Sequence, residues 1–237
     1  MQKLDFSVPL CIALRLHKTM SLAPSISSSD GGQLPEFAGL WQCCSHSRLA
    51  ELCSMTGSDF CARAVAYLKP MVQDSSPAIS LSRGDSPVFQ PFTDDLRLSY
   101  LVDADSHFEY VQHRHLDQEG VSVDQLHSMA VSNLQALAEE KLVVREYGAI
   151  YVALMGGNFE ASLLALDVMW NHWCAQLVRE RFVAVAPARD LLAFCDSSSA
   201  QGLMELQQVV ERSENCDHKL HPYLYQRAGA RWQQVIQ

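Results

Sequence analysis

Three things are missing from this sequence, and each removes a class of function. No run approaches the roughly 18 consecutive apolar residues that a membrane-spanning helix requires, which predicts a soluble protein outside the membrane. Positive charge is short: 18 lysines and arginines against 27 aspartates and glutamates leave a formal net charge of −9. Such a surface repels a phosphate backbone, so general nucleic-acid binding through counterion release is not expected. The eight cysteines, at 11, 43, 44, 53, 61, 174, 195 and 216, form no CxxC pair and no regular spacing. They read as buried reduced thiols of a cytosolic protein. The opening stretch to Leu14 is a poor secretory signal, because Asp5 and Pro9 interrupt it and Arg15 and His17 follow, so a cytoplasmic location is expected.

What is present suffices for a core: 48% of the 237 residues are apolar and 19% charged, an ordinary globular balance. Ser21 to Pro35, with its serines, Asp30-Gly31-Gly32 and two prolines, reads as a linker, so residues 1–40 form an appendage and 41–237 a single domain. Ser58-Asp59 can cap a helix to about Tyr67 or Leu68, since Phe60, Ala64, Val65 and Leu68 recur at helical spacing and Pro70 limits it. Ser75 to Pro91 is turn-rich and expected on the surface, with a short strand at Ala78 to Leu81.

From Leu96 the pattern is more regular. Leu96 to Val102 and Phe108 to Leu116 read as a hairpin across Asp103-Ala-Asp-Ser106. Ser122 and Gln125 form a capping box, opening a helix to about Glu140. Asn133 falls within its apolar side, where a buried amide must find partners. Strands follow near Leu142 to Arg145 and Ile150 to Met155. Phe159, Leu163, Leu166, Trp170, Trp173 and Leu177 then make one continuous helical stripe. Phe182 to Ala186 and Leu191 to Cys195 form a hairpin across Pro187 to Asp190. Ser198 and Gln201 repeat the capping-box spacing, and Tyr223 to Ile236 resembles a last hairpin. Hairpins alternating with amphipathic helices predict an α+β fold, mainly antiparallel, built of successive strand-strand-helix units with helices packed on the sheet.

Several residue groups could carry chemistry. Period two would put His107, Glu109, His113, His115 and Asp117 on one strand face, a set of imidazoles and carboxylates that suits a first-row metal. A solvated polar face explains the same alternation without an ion. Arg189 and Asp190 lie at a hairpin turn, where the guanidinium could clamp a carboxylate or phosphate, although a structural pair that holds the turn through Asp167 or Asp196 is the favoured reading. Gly156-Gly157-Asn158 could offer backbone N–H groups to an anion, although it lacks the dinucleotide fingerprint and the P-loop lysine. Cys195 with His127 or His172 would be a thiol and base, but its apolar flank argues for an inert thiol. Cys43, Cys44, His46 and Cys53 are zinc-ligand types at the wrong spacing for a finger or ribbon.

The set Tyr100-Leu-Val-Asp103, His127 through Ala130 to Asn133-Leu134, Ser162-Leu-Leu, Asp167, Trp170, and Val185-Ala-Pro187-Ala-Arg189-Asp190-Leu-Leu with Asp196 resembles the YtpQ-like family of uncharacterised bacterial proteins. The resemblance spans roughly Phe60 to Asp196, and the first forty residues depart from it. It implies a cytosolic bacterial protein of α+β type, with Asp103, Asn133, Pro187, Arg189 and Asp190 as pattern positions and no cofactor or catalytic residue to carry over.

These readings converge on a non-catalytic module that binds a protein partner or a small ligand, without a cofactor. Arg189, Asp190 and Asn133 are its candidate ligand residues. The alternatives are a metal-assisted hydrolase or metal-dependent regulator using His107, His113 and His115, and an anion or nucleotide binder around Arg189.

Overall fold

Val65-Ala-Tyr-Leu-Lys-Pro is buried from both sides over Ala66 to Leu68, and a short run of that kind suits a central strand as well as a helix. The computed structural model, which describes residues 59–71, 81–104 and 107–235, makes it strand β1 (Val65–Pro70). The expected helix is reduced to a single 3-10 turn, Cys61–Arg63. The Glu119 carboxylate fixes that turn by accepting the N–H groups of Phe60 (2.9 Å) and Cys61 (3.1 Å). The 1–40 appendage, the Cys43, Cys44, His46 and Cys53 group, and most of the strand expected at 78–81 lie outside the described residues.

Three further strands join β1: β2 (Phe89–Pro91), β3 (Leu96–Asp103) and β4 (Phe108–Tyr110). All pairings are antiparallel and all are made to β3. With β1 along one edge of β3, β2 and β4 follow one another along the other edge. The 75–91 stretch was expected as surface connection, yet it supplies β2 and the buried Val88. The expected β3–β4 hairpin forms, but β4 ends at Tyr110. From His113 the chain is helical: α1 (His113–Glu119), with Gly120 closing it at φ 66°, and then α2 (Val123–Lys141). The capping box at α2 is present in both directions, Gln125 N–H to Ser122 Oγ at 3.2 Å and Ser122 N–H to Gln125 Oε1 at 2.9 Å.

The second sheet has six strands: β5 (Val143–Tyr147), β6 (Ile150–Leu154), β7 (Phe182–Ala188), β8 (Leu191–Asp196), β9 (Leu224–Ala228) and β10 (Arg231–Gln234). Their order is β10-β9-β7-β8-β6-β5, antiparallel throughout. Alternate residues therefore face two different cores. Val152, Val183, Val185, Ala193 and Cys195 pack with Leu206 and Val209 of α3 (Ala200–Arg212). Ala153, Ala184, Phe194 and Trp232 join a larger cluster that runs through Leu163 and Trp170 to Leu68, Tyr100, Leu126 and Leu134 of the first sheet and α2. The cap of α3 is Ser199, which accepts the Gly202 N–H at 3.0 Å, and not Ser198, whose N–H and hydroxyl both go to Asp196.

The stripe from Phe159 to Leu177 faces inward as its period implies: Leu163, Leu166 and Trp170 are buried. The backbone is nevertheless not one α-helix. A 3-10 turn (Ala161–Ala165) breaks at the extended Leu166, and a π-helical turn (Met169–Trp173) and a second 3-10 turn (Ala175–Leu177) follow. In an α-helix the Leu163 and Leu164 carbonyls would accept from the N–H groups four residues on. Here the indole of Trp170 donates to Leu163 (3.0 Å) and that of Trp232 to Leu164 (2.9 Å). The Leu163 carbonyl also accepts the Leu166 N–H at 3.0 Å, so indole donors and an i+3 bond stand where i+4 helical bonds would.

Two further bonds tie the sheets together. The β1 N–H of Leu68 donates to Ser162 Oγ at 3.0 Å, and the buried Tyr225 hydroxyl on β9 donates to Asp95 Oδ2 at 2.5 Å.

Candidate functional site

Strand register decides which side chains of the first sheet meet. Lys69 pairs with Arg97, Tyr67 with Ser99 and Ser99 with Phe89, while Leu101 lies between Val65 and Tyr110. Residues in such cross-strand rows point to the same face. Lys69, Tyr67, Arg97, Phe89 and Tyr110 therefore share the face opposite α2, and all line one cleft of about 240 Å³.

The other wall comes from the second sheet. Strand β7 runs on to Ala188, past a bulge after Val185, so the turn is Arg189-Asp190 alone and Pro187 sits at the irregularity, where a residue without an N–H does least damage. The chain at 218–220 runs alongside: Leu220 N–H donates to the Pro187 carbonyl (2.9 Å) and Arg189 N–H to that of His218 (3.2 Å). Arg189, His218 and Lys219 are thereby delivered to the same cleft.

The result is a concentration of positive charge in an acidic protein. Lys69, Arg97, Arg189 and Lys219 converge, and among the described residues none of them forms a salt bridge. The two carboxylates that could have neutralised Arg189 are engaged elsewhere. Asp167 pairs with Arg227 at 2.7 Å. Asp196 accepts N–H groups from Arg179 (2.5 Å), Glu180 (3.3 Å) and Ser198 (2.9 Å). Desolvation raises the Asp196 pKa, but these bonds outweigh it and hold the carboxyl down to about 2.

Aromatic rings support the cations instead. The Arg97 guanidinium lies 3.9 Å over the Phe89 ring, and Lys69 Nζ is 5.2 Å from the Tyr67 ring and 5.7 Å from that of Tyr110. Ring faces attract a cation without consuming its N–H donors on an anion. Arg97 Nε and Arg189 Nε are both buried without a hydrogen-bond partner. His218 has φ 56°, the one positive value on a non-glycine residue among those described; strained backbone of this kind clusters where ligands are held.

The remaining expected sites fare differently. Asn133 is not at the cleft: its Nδ2 donates to the carbonyls of Ala62 and Ala64, both at 2.8 Å, on the α2 side of the sheet. Asp190 adjoins Arg189 without lining the cleft. The metal-binding strand face does not form, because the strand stops at Tyr110 and His113 and His115 begin α1. His115 Nδ1 accepts the Gln112 N–H at 3.2 Å, a capping role. Among the described residues no group of three or more His, Cys, Asp or Glu could hold a metal ion.

The Gly156-Gly157 turn is filled from within. The Glu160 carboxylate, only 2% exposed, accepts the N–H groups of Met155 (2.8 Å), Gly157 (2.6 Å) and Phe159 (3.2 Å). Those three N–H groups are therefore not available to an outside anion. Cys195 is wholly buried, and desolvation with the nearby Asp196 and Glu205 charges pushes its thiol up to about 12. It is therefore not a thiolate nucleophile.

Lys69, Arg97, His218 and Lys219 are not marked out by the sequence, since nothing along the chain relates them. The available signal was the alternation Tyr67, Lys69 beside Phe89 and Arg97, and it has meaning only once the register is known. Compared with known proteins, the chain matches no family model, no curated protein and no solved structure. Among the described residues no helix is long and apolar enough to cross a membrane.

Proposed function

We propose that this protein is a cytoplasmic, non-catalytic binding module that takes a small, multiply charged anion of the phosphate or nucleotide type between Lys69, Arg97, Arg189 and Lys219. The observation that carries this reading is the pair of buried Nε atoms without acceptors, from two different sheets, at one cleft. A buried donor without a partner costs about 1–3 kcal/mol, and converging like charges repel. A bound dianion relieves both, and the guanidinium fork matches adjacent oxygens of a phosphate or carboxylate. The chain as successive strand-strand-helix units belongs to the same proposal, with one hairpin turn presenting Arg189. So does kinship with the YtpQ-like family of bacterial proteins, which rests on the sequence pattern at Asp103, Asn133, Pro187, Arg189 and Asp190.

The test is thermal unfolding with inorganic phosphate and with ADP. A ligand that binds only the folded state raises Tm in proportion to its saturation. The Arg97→Gln, Arg189→Gln double variant is expected to lose that rise while keeping or increasing its ligand-free Tm. A rise that survives in the double variant, or no rise in the unaltered protein, overturns the reading.

A further inference from the structure

Arg227, on β9, is 6% exposed, and its guanidinium is held from two sides. Nη2 donates to Asp167 Oδ1 (2.7 Å) and to Asn171 Oδ1 (3.1 Å), and the group lies 5.7 Å from the Trp232 ring centroid. These contacts fix its plane. Nη1, also buried, has no acceptor. Arg227 borders a second cleft, about 390 Å³, walled by Asn171, Glu180, Arg181 and the β9–β10 turn at Gly229. Asn171 belongs to the π-helical turn Met169–Trp173, a rare geometry that appears frequently at functional sites.

The charges here balance, unlike those of the first cleft. Arg227 and Arg181 stand against Asp167 and Glu180. A polyanion gains little from such a site, whereas a ligand carrying both signs meets a partner for each. We infer that this cleft binds a small zwitterion of the α-amino acid type. Its carboxylate accepts from Arg227 Nη1 and faces Arg181, and its ammonium pairs with Glu180. A simple carboxylate leaves Glu180 unanswered, and a simple amine leaves Nη1 without an acceptor. The inference shares no residue with the first cleft and stands whether or not that cleft binds anions.

The experiment is an NMR titration of the isotope-labelled full chain with L-alanine, acetate and methylammonium, following the Ala228 and Gly229 amides. L-Alanine is expected to produce saturable shifts there, with acetate and methylammonium about tenfold or more weaker. Arg227→Lys keeps the charge and the Asp167 pairing but loses the Nη1 fork, and is expected to weaken alanine by about tenfold or more. Should that variant not fold, the exposed Glu180→Gln decides, since it is expected to bring alanine and acetate within about twofold of each other. Absence of saturable shifts with alanine in the unaltered protein, or acetate binding as tightly as alanine, or Glu180→Gln leaving the preference for alanine intact, overturns the inference.

Discussion

Asn133, on the sheet-facing side of α2, donates its side-chain amide to the carbonyl of Ala64 at 2.8 Å, at the residue where the chain turns into β1. The second amide hydrogen goes to Ala62, also at 2.8 Å, inside the 3-10 turn that precedes the strand. One side chain thus satisfies two backbone acceptors that no ladder or helix reaches, and it sets where β1 begins.

Replacing Asn133 with Leu keeps the apolar stripe and removes both donors. Ala64 is wholly buried, so its carbonyl has no access to water in exchange. The expected loss is about 1–3 kcal/mol, read as a lower urea midpoint with an unchanged slope. Asn133→Asp is expected to do more harm, since its carboxylate faces two carbonyl oxygens.

Gly202 marks a close approach of α3 to the sheet. A Cβ there would stand 2.8 Å from the Cys195 Cβ and 2.9 Å from the Ala149 carbonyl oxygen. Neither neighbour is the free end of a flexible chain, so Gly202→Ala is expected to destabilise by about 1–3 kcal/mol despite alanine's better helix propensity. Equal or higher stability in the variant would show that α3 can lift off the sheet.

Elements announced by local chemistry were legible in the sequence. The α2 cap depends on Ser122 and Gln125 alone, and the β5–β6 turn on Gly148 at φ 65°. Elements decided by distant partners were not. Val65 to Leu68 is a strand because β3 lies beside it, and the Phe159 stripe is broken where two indoles and an i+3 bond occupy its carbonyls. The cleft belongs to the second kind. Arg189 could be suspected from its turn, but Lys69, Arg97 and Lys219 become its neighbours only through pairing and loop path.

The Tyr100 hydroxyl, wholly buried under α2, meets His127 Nδ1 at 3.1 Å and Gln90 Oε1 at 2.8 Å. Burial lowers the His127 pKa below its ordinary 6.5, and the Asp124 charge opposes this only in part. Between the lowered value and 6.5 the unfolded chain binds more protons than the folded one, so stability rises with pH there. The contribution is full above 6.5 and is lost as pH falls through that value toward the folded one. From about pH 8 to about pH 5 the unaltered protein is expected to lose more stability than His127→Gln, in paired urea titrations. Parallel losses in the two proteins would remove His127 from the account.

The test of the first cleft has a distinguishing sign. Removing Arg97 and Arg189 side-chain charge is expected to leave the free protein as stable or more so, and to abolish stabilisation by phosphate or ADP. A merely structural pair of arginines would give the opposite pattern, a weaker fold whose response to phosphate is retained.

The charge-balanced cleft has its own discriminating outcome, a preference for L-alanine over acetate that depends on Glu180. Binding governed by the two arginines alone would favour acetate at least equally.

The Trp170 and Trp232 rings, whose N–H groups reach the Leu163 and Leu164 carbonyls, stand 4.8 Å apart with their planes at 77°. Transition dipoles so close and so inclined exchange excitation, so the docked chain is expected to carry a paired circular dichroism band from these two chromophores. Separation of β10 from the 161–170 segment is expected to extinguish that band. The docking of the last strand can therefore be followed optically, with no label attached.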